Sequence, residues 1–354
     1  MEKTEWGVER IDGPSAWYGA DMATRPEEWT YQLGHRDLNE IEIAVEDARN
    51  SGTPIMEVGK EGFPLQNLGL TLDGIQDEVV NGRGFVLIRG LPVDQYSIEE
   101  SALAYFLIGS YFGWPIPQNA KGHLLGHVRD IGLDPSNPTH RLYGTSARHL
   151  YHTDSCDIVG LLCLQKAMEG GLSKIASSVT VYNEMMDSRP DLVQVLTEPF
   201  SIDRKGEIPK GKGPHYQMPI LHPYQGTLTT TYNRDFITAA QRFDDVPRLT
   251  DRQIEAMDTM DELANSERIR LDMDFRPGDM QFIHNHQVLH SRTSYVDYPE
   301  PERQRHLLRL WLTPPNARPL APVIAERFGN IEVGPTRGGI RTPGQTLSTP
   351  LQPA

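Results

Sequence analysis

Tyr151-His152-Thr153-Asp154 sets a histidine and a carboxylate two residues apart. Side chains alternate between the two faces of a strand, so in an extended chain His152 and Asp154 aim at one point while Thr153 faces away. Far downstream lies His284-Asn285-His286-Gln287-Val288-Leu289-His290, followed by Arg305-His306-Leu307-Leu308-Arg309. Two imidazoles and one carboxylate hold Fe(II) on one side and leave the other side open. His284, His286 and His290 share parity, so alternation leaves the third ligand open among them. A single buried histidine is ordinary when both ring nitrogens find partners, but three on one face are unusual. Taken alone, His152 and Asp154 are equally compatible with a surface hydrogen bond.

Zinc is the competing metal, because His149, His152, Asp154 and Cys156 are all zinc-ligand types. Structural zinc sites favour paired cysteines, however, and the spacing of Cys156 and Cys163 is no zinc knuckle. No His-Glu-x-x-His is present, and a zinc hydrolase offers no role for the two arginines. Arg305, Leu307, Arg309 and Trp311 share one face of an otherwise apolar strand. Two arginines there are costly unless each meets an anion. They either pair with core acids or form sockets for carboxylates, each suited to a bidentate fork.

The elements that must position these groups follow from patterning. The chain has 354 residues, 38% hydrophobic and 23% charged, with a net charge of −14. Length alone suggests about two domains, although single β-barrels and sandwiches run to about 250 residues. The acidic balance argues against nucleic-acid or anionic-membrane partners, which need clustered Lys and Arg. The short basic run from Arg204 to Lys212 is broken by Gly and Pro and reads as a solvated loop. Two cysteines make no disulfide framework, the N-terminus has no apolar h-region, and no run reaches a membrane span. A cytoplasmic, reducing location is therefore expected, and a homo-oligomer is compatible with the composition.

Helices are expected over Leu38–Asn50, after the capping box Ser97-Ile98-Glu99-Glu100, over Tyr182–Leu196 with an interruption at Pro190, and after Thr250-Asp251-Arg252-Gln253. Strands are expected at Gly84–Gly90, Ile158–Leu164, Ser177–Val181, Met280–His284 and His306–Leu312. Residues 115–150 are rich in loops, and such stretches are usually functional. The division is an N-terminal extension (1–80) packed on the core, a catalytic domain (81–314) and a Pro/Gly-rich tail (315–354) that wraps the surface. The fold class is mainly β with flanking helices, a sandwich or barrel with helical decoration.

The motifs together resemble the taurine dioxygenase/clavaminate synthase-like family of Fe(II)- and 2-oxoglutarate-dependent oxygenases, from about residue 83 to 314. His152-Thr153-Asp154 matches its first motif, and Gly170-Gly171-Leu172-Ser173 resembles its Gly-Gly-x-Thr/Ser. Asn285 stands five residues before His290, and Arg305 fifteen after it. The resemblance implies a double-stranded β-helix, a jelly roll of cupin type. It selects His290 as third ligand beside His152 and Asp154, with Ser173 and Arg305 on 2-oxoglutarate. Fe(II), 2-oxoglutarate and O2 are the implied cofactor and cosubstrates, and succinate and CO2 the coproducts. The outcome is hydroxylation, desaturation or cyclisation. Members that halogenate lack the carboxylate, so Asp154 speaks against halogenation.

Arg309 sits where several members hold the substrate's acidic group. The expected substrate is thus a small carboxylate-bearing molecule, such as an amino acid or secondary metabolite. Asn119, Tyr143, Arg148, Tyr151, Asp157 and Tyr295 lie near the motifs in sequence and are further pocket candidates. Asp157 is also suited to orienting a ligand histidine. Two rival readings are an iron oxygenase with atypical use of 2-oxoglutarate and a non-catalytic metal-binding jelly roll.

Overall fold

The computed structural model describes residues 9–353. Eleven strands form its two main sheets: β1 (Thr30–Gln32), β2 (Phe85–Arg89), β3 (Trp114–Pro115), β4 (Leu125–Val128), β5 (His149–His152), β6 (Ile158–Gln165), β7 (Ser173–Ser177), β8 (Arg270–Met273), β9 (Met280–His284), β10 (Val288–Arg292) and β11 (His306–Thr313). The seven-stranded sheet runs β1-β2-β9-β6-β11, and β11 also carries β3 and β4. Its ladders are antiparallel except the parallel pair β1–β2. The four-stranded sheet runs β8-β7-β10-β5, all antiparallel.

The two sheets face each other across one apolar cluster. Phe85, Val159, Ile283, Leu307 and Trp311 of the larger sheet meet Ile175, Leu271 and Val288 of the smaller. This is the expected jelly roll, with helices on both outer faces. Helices α1 (His35–Ser51), α2 (Leu68–Asn81) and α3 (Ile98–Phe112) cover the large sheet, while α4 (Ser178–Ser188), α5 (Pro190–Leu196) and α6 (Asp251–Asn265) cover the small one. Strand β11 shows how alternation divides the labour. Leu308, Leu310 and Leu312 pack outward under the helices, and Leu307 and Trp311 pack inward. Arg309, within the strand, and Arg305, one residue before it, have the inward parity, and both line the cleft between the sheets.

Helix starts follow their caps. Ser97 Oγ accepts from Glu100 N at 3.1 Å, and Glu100 Oε2 accepts from Ser97 N at 2.8 Å. Thr250 and Gln253 make the same reciprocal pair before α6. Helix α3 is buried nearly all round because it lies between the sheet and the other two helices.

Two expectations are corrected. The strand-like run Ser177–Val181 is the start of α4, and the strand lies just before it, at Ser173–Ser177. Its β-branched residues suggested a strand, but the Ser177 hydroxyl caps the helix by accepting from Thr180 N at 2.9 Å. The tail does not only wrap the surface, since Arg337 is 1% exposed and inserts beneath it. In the N-terminal eighty residues, Ile41, Ala44, Leu68, Leu72 and Val79 bury against the large sheet. No helix among the described residues is long and apolar enough to cross a membrane.

Candidate metal centre

The first two imidazoles meet because β5 and β10 are hydrogen-bonded neighbours. His152 and His290 are direct partners in that ladder, and their ring centroids are 4.1 Å apart. The register shifts between His290 and Arg292, so the strand bends just where the ligand sits. Asp154 lies beyond the end of β5, where pleating no longer fixes it. Asn285 does so instead. Its Oδ1 accepts from Asp154 N at 2.9 Å, and its Nδ2 donates to Asp154 O at 2.5 Å and Cys156 O at 2.9 Å. Thr153 is tied to Tyr232, whose carbonyl accepts from Thr153 N at 2.7 Å.

One ligand atom each of His152, Asp154 and His290 all lie within 4.8 Å of one another. His290 Nε2 stands 3.9 Å from Asp154 Oδ2. One ion at ligand distances of about 2 Å bridges such a triangle after small side-chain rotations. His152 Nδ1 donates to Leu150 O at 2.8 Å, which leaves its Nε2 lone pair for a metal. Burial lowers the pKa of His152 and pushes that of His290 down to about 3, the latter aided by His152 and opposed by Asp154. Burial alone would raise Asp154, but Arg309, His290, His152 and Arg141 more than offset it and hold the carboxyl well below its usual range. Neutral imidazoles beside an ionised carboxylate are the donor forms a divalent cation takes.

His284 and His286 belong elsewhere. His284 ends β9, the next three residues form the turn, and strand parity has no meaning across a turn. His284 Nδ1 accepts from Arg318 at 2.8 Å, and His286 Nε2 lies 2.8 Å from Asp157 Oδ1.

The open side of the triad faces a cleft lined by His152, His290, Ser173, Tyr143, Arg305 and Arg309, with Val159, Leu161 and Leu307 as apolar walls. Arg305 is 4% exposed, and its Nη1 has no partner among the described residues. Burial lowers its pKa, and Tyr295, Cys163 and Asp297 offset this only in part. A buried guanidinium with an orphan N–H, sharing a cleft with the Ser173 hydroxyl, fits a carboxylate-bearing cosubstrate. The two glycines explain themselves here. Both have positive φ, and a Cβ on Gly171 would stand 2.9 Å from Arg305 Nε. The bare backbone makes room for the arginine stem.

Arg309 donates from Nε to Gln118 Oε1 at 2.7 Å, and its Nη1 lies 3.5 Å from Asp154 Oδ2. Trp311 Nε1 donates to the same Oδ2 at 3.0 Å. The arginine–acid pairing expected as an alternative to a socket thus holds in part for Arg309, whose acid is the carboxylate of the triad.

The expected pocket residues divide. Tyr143 lines the cleft and stacks on Arg309 at 4.8 Å, and Tyr295 lies 5.2 Å from the Arg305 guanidinium. Four do not join them. Asn119 spends its side chain on the turn at Lys121 and His123. Arg148 is exposed, and Tyr151 packs into the cluster behind the small sheet. Asp157 orients no ligand histidine, because it pairs with His286 and with Arg337 Nη2 at 2.7 Å. Gln118 and Arg141 were missed. Both come from the loop-rich 115–150 stretch, where no periodicity predicts direction. Pro115-Ile116-Pro117 ahead of Gln118 was the available sign of a fixed backbone.

The family model for taurine catabolism dioxygenase TauD/TfdA matches residues 50–311. FR-33289 synthase of Streptomyces rubellomurinus is 30% identical over 317 residues, covering 87% of this chain and 91% of that protein. Taurine hydroxylase-like protein SAT17 of Stachybotrys chartarum is 29% identical over 324 residues, covering 86% and 82%. Among solved structures, asparagine oxygenase with Fe(II), 2S,3S-3-hydroxyasparagine and succinate superposes with a TM-score of 0.59 at 18% identity, covering 80% of this chain and 93% of that one. The non-heme iron oxygenase OrfP with Fe, succinate and (3S)-hydroxy-L-Arg gives 0.61 at 16% identity, covering 80% and 94%.

Proposed function

The chain belongs to the taurine catabolism dioxygenase TauD/TfdA family of Fe(II)- and 2-oxoglutarate-dependent dioxygenases, and from that premise we infer that it oxidises a small molecule whose anionic group is held by Arg309. The reading assigns His152, Asp154 and His290 to Fe(II), and Arg305 and Ser173 to the far carboxylate of 2-oxoglutarate. Fe(II) and 2-oxoglutarate, when bound, supply with O2 the oxidant that removes a substrate hydrogen, with succinate and CO2 as coproducts.

The residues of this chain do the rest. Arg305 has an orphan Nη1 to give to a carboxylate, and Ser173 adds a hydroxyl donor. Trp311 and Arg309 hold Asp154 Oδ2, which fixes the face the carboxylate presents to the ion. Val159, Leu161 and Leu307 keep the cleft dry, which protects a reactive species from water.

The observation that supports the substrate reading is Arg309. It is 6% exposed, lines the cleft next to the triad, and is a cation beyond the Arg305 that the reading gives to 2-oxoglutarate. An amino acid or comparable metabolite suits it. Asparagine oxygenase and OrfP, which share the fold, carry hydroxylated amino acids in their structures. The test begins with a screen for compounds that raise succinate release above the uncoupled rate. For a compound so found, Arg309→Ala is expected to raise KM at least tenfold while the 2-oxoglutarate KM changes less. An unchanged substrate KM contradicts the assignment.

A further inference from the structure

A second polar cavity of about 410 Å3, open mouth included, lies beside the metal centre. It is lined by Arg204, Arg327 and Arg341 with Asp203, Glu207 and Phe236. In a chain with a net charge of −14, three arginines around one hollow call for an account.

Both acids are already neutralised from outside the cavity. Asp203 takes Arg242 Nε at 2.8 Å, and Glu207 takes Arg141 Nη1 at 2.9 Å. The arginines are less fully met. Arg327 meets Ser155 Oγ, Thr153 Oγ1 and Thr153 O, none of them a charge. Arg341 meets only the carbonyls of Gly338 and Pro335. Arg204 is 7% exposed and stacks on Tyr216 at 4.3 Å; its Nη2 donates to Glu326 O at 3.1 Å, but its Nε is buried without a partner among the described residues, and the Glu326 carboxylate, 3.7 Å away, is shared with Lys212. Burial lowers the pKa of both Arg204 and Arg341, as it does for cations short of anions. Solvation taken from a guanidinium must be replaced by an anion or by hydrogen bonds, and here the replacement is incomplete.

The cavity adjoins the reacting centre through Arg141. That residue holds Glu207 on one side, and on the other its Nη2 is 4.0 Å from Asp154 Oδ1. Its guanidinium lies 5.6 Å from the Trp311 ring and 5.9 Å from Phe236. Arg327, for its part, grips both neighbours of Asp154.

We propose that this cavity is a second substrate subsite, in which Arg204 and Arg341 bind an oxyanion at the end of the substrate remote from the metal, with Arg141 between the two ends. The class of ligand is a carboxylate, phosphoryl or sulfonyl group on an elongated metabolite. The inference rests on substrate binding at the metal beside Arg309.

The test uses the holoprotein under argon, with Fe(II) and saturating 2-oxoglutarate so that Arg305 is occupied. Inorganic sulfate is titrated against chloride at matched ionic strength, and thermal unfolding is followed in the wild type, Arg341→Gln and Arg204→Gln. Sulfate stabilises folded proteins generally by exclusion, but that contribution is common to all three and cancels. The expected result is a saturating stabilisation in the wild type that needs at least tenfold more sulfate in each variant. An equal sulfate response in wild type and both variants overturns the subsite, as does a wild-type response no larger than that to chloride. The visible band of the Fe(II)–2-oxoglutarate chelate is recorded in the same samples. A band without a specific sulfate response overturns the subsite alone, whereas no band overturns the dioxygenase reading and the subsite with it.

Discussion

At the scale of single residues, the proposed function makes cosubstrate affinity turn on Arg305. Its guanidinium is buried, it has an unpartnered Nη1, and it lies in the cleft that the triad faces. Removing one partner of a buried charge pair costs about 2–5 kcal/mol, so Arg305→Ala is expected to raise the 2-oxoglutarate KM at least about thirtyfold. Arg305→Lys should recover only part of this, because an ammonium cannot make the bidentate fork. Initial-rate succinate release at varied 2-oxoglutarate checks both. Gly171→Ala probes the same site from the backbone. Its φ of +66 and the 2.9 Å approach to Arg305 Nε predict a higher 2-oxoglutarate KM, although residue 171 donates no side-chain group; an unchanged KM would show that the arginine stem tolerates the methyl. Arg309 was legible in the sequence because it lies inside β11, where parity carries direction, and Arg305 because it stands one residue before that strand with the same parity. Gln118 and Arg141 were not, because they act from loops whose side-chain directions depend on distant contacts. His284 and His286 misled for a related reason, since equal parity spans a turn.

At the scale of elements, the centre depends on how three pieces are joined. The ladder between β5 and β10 sets the two histidines, and the β9–β10 turn supplies Asn285, which holds the backbone on either side of the Asp154 carboxylate. Asn285→Ala is therefore expected to lower Fe(II) affinity by about 10–100-fold, the usual effect of losing a residue that orients a ligand. Fold stability should fall by about 1–3 kcal/mol for the unpaired backbone groups. Fe(II) titration together with urea unfolding measures the two. Ser97→Ala is the matching control, a lost cap costing about 1 kcal/mol with no change in Fe(II) affinity, because α3 lies on the outer side of the large sheet. Equal losses of metal affinity in the two variants would contradict this account of Asn285. The capping boxes at Ser97 and Thr250 were readable because their partners lie three residues away. The cap at Ser177 was hidden by the β-branched Val179, Thr180 and Val181, yet Val181 packs in the α4–α6 layer and Thr180 Oγ1 donates to Trp17 O at 2.7 Å, contacts that override strand preference.

At the scale of the whole molecule, the tail is sewn into the jelly roll by buried charge. Arg337, 1% exposed, binds Asp157 at 2.7 Å, and Asp157 also meets His286. Burial alone would raise Asp157, but His286 and Arg337 more than offset it and lower its pKa. Arg337→Ala strands that carboxylate and is expected to cost about 3–5 kcal/mol, read by urea unfolding. A Pro/Gly-rich composition gave no sign of this, since one buried arginine leaves no periodic trace. Acid should also loosen the fold. Burial pushes His222 down to about 4, and burial with His127 pushes His306 down to about 3. Both are protonated in the unfolded chain below about pH 6.5 and neutral in the fold. The unfolded state therefore binds more protons, and stability falls as pH drops from 6.5 towards 4, by about 1.4 kcal/mol per unit for each group. Unfolding of the metal-free protein at pH 7 and pH 5 checks the sign. The most direct test of the central claim is anaerobic addition of Fe(II) and then 2-oxoglutarate, with the visible spectrum recorded. The predicted result is a charge-transfer band that saturates at one Fe(II) per chain, is lost in His290→Ala, and needs far more 2-oxoglutarate in Arg305→Ala. The contradicting result is no band in the wild type, or a band that persists unchanged in both variants.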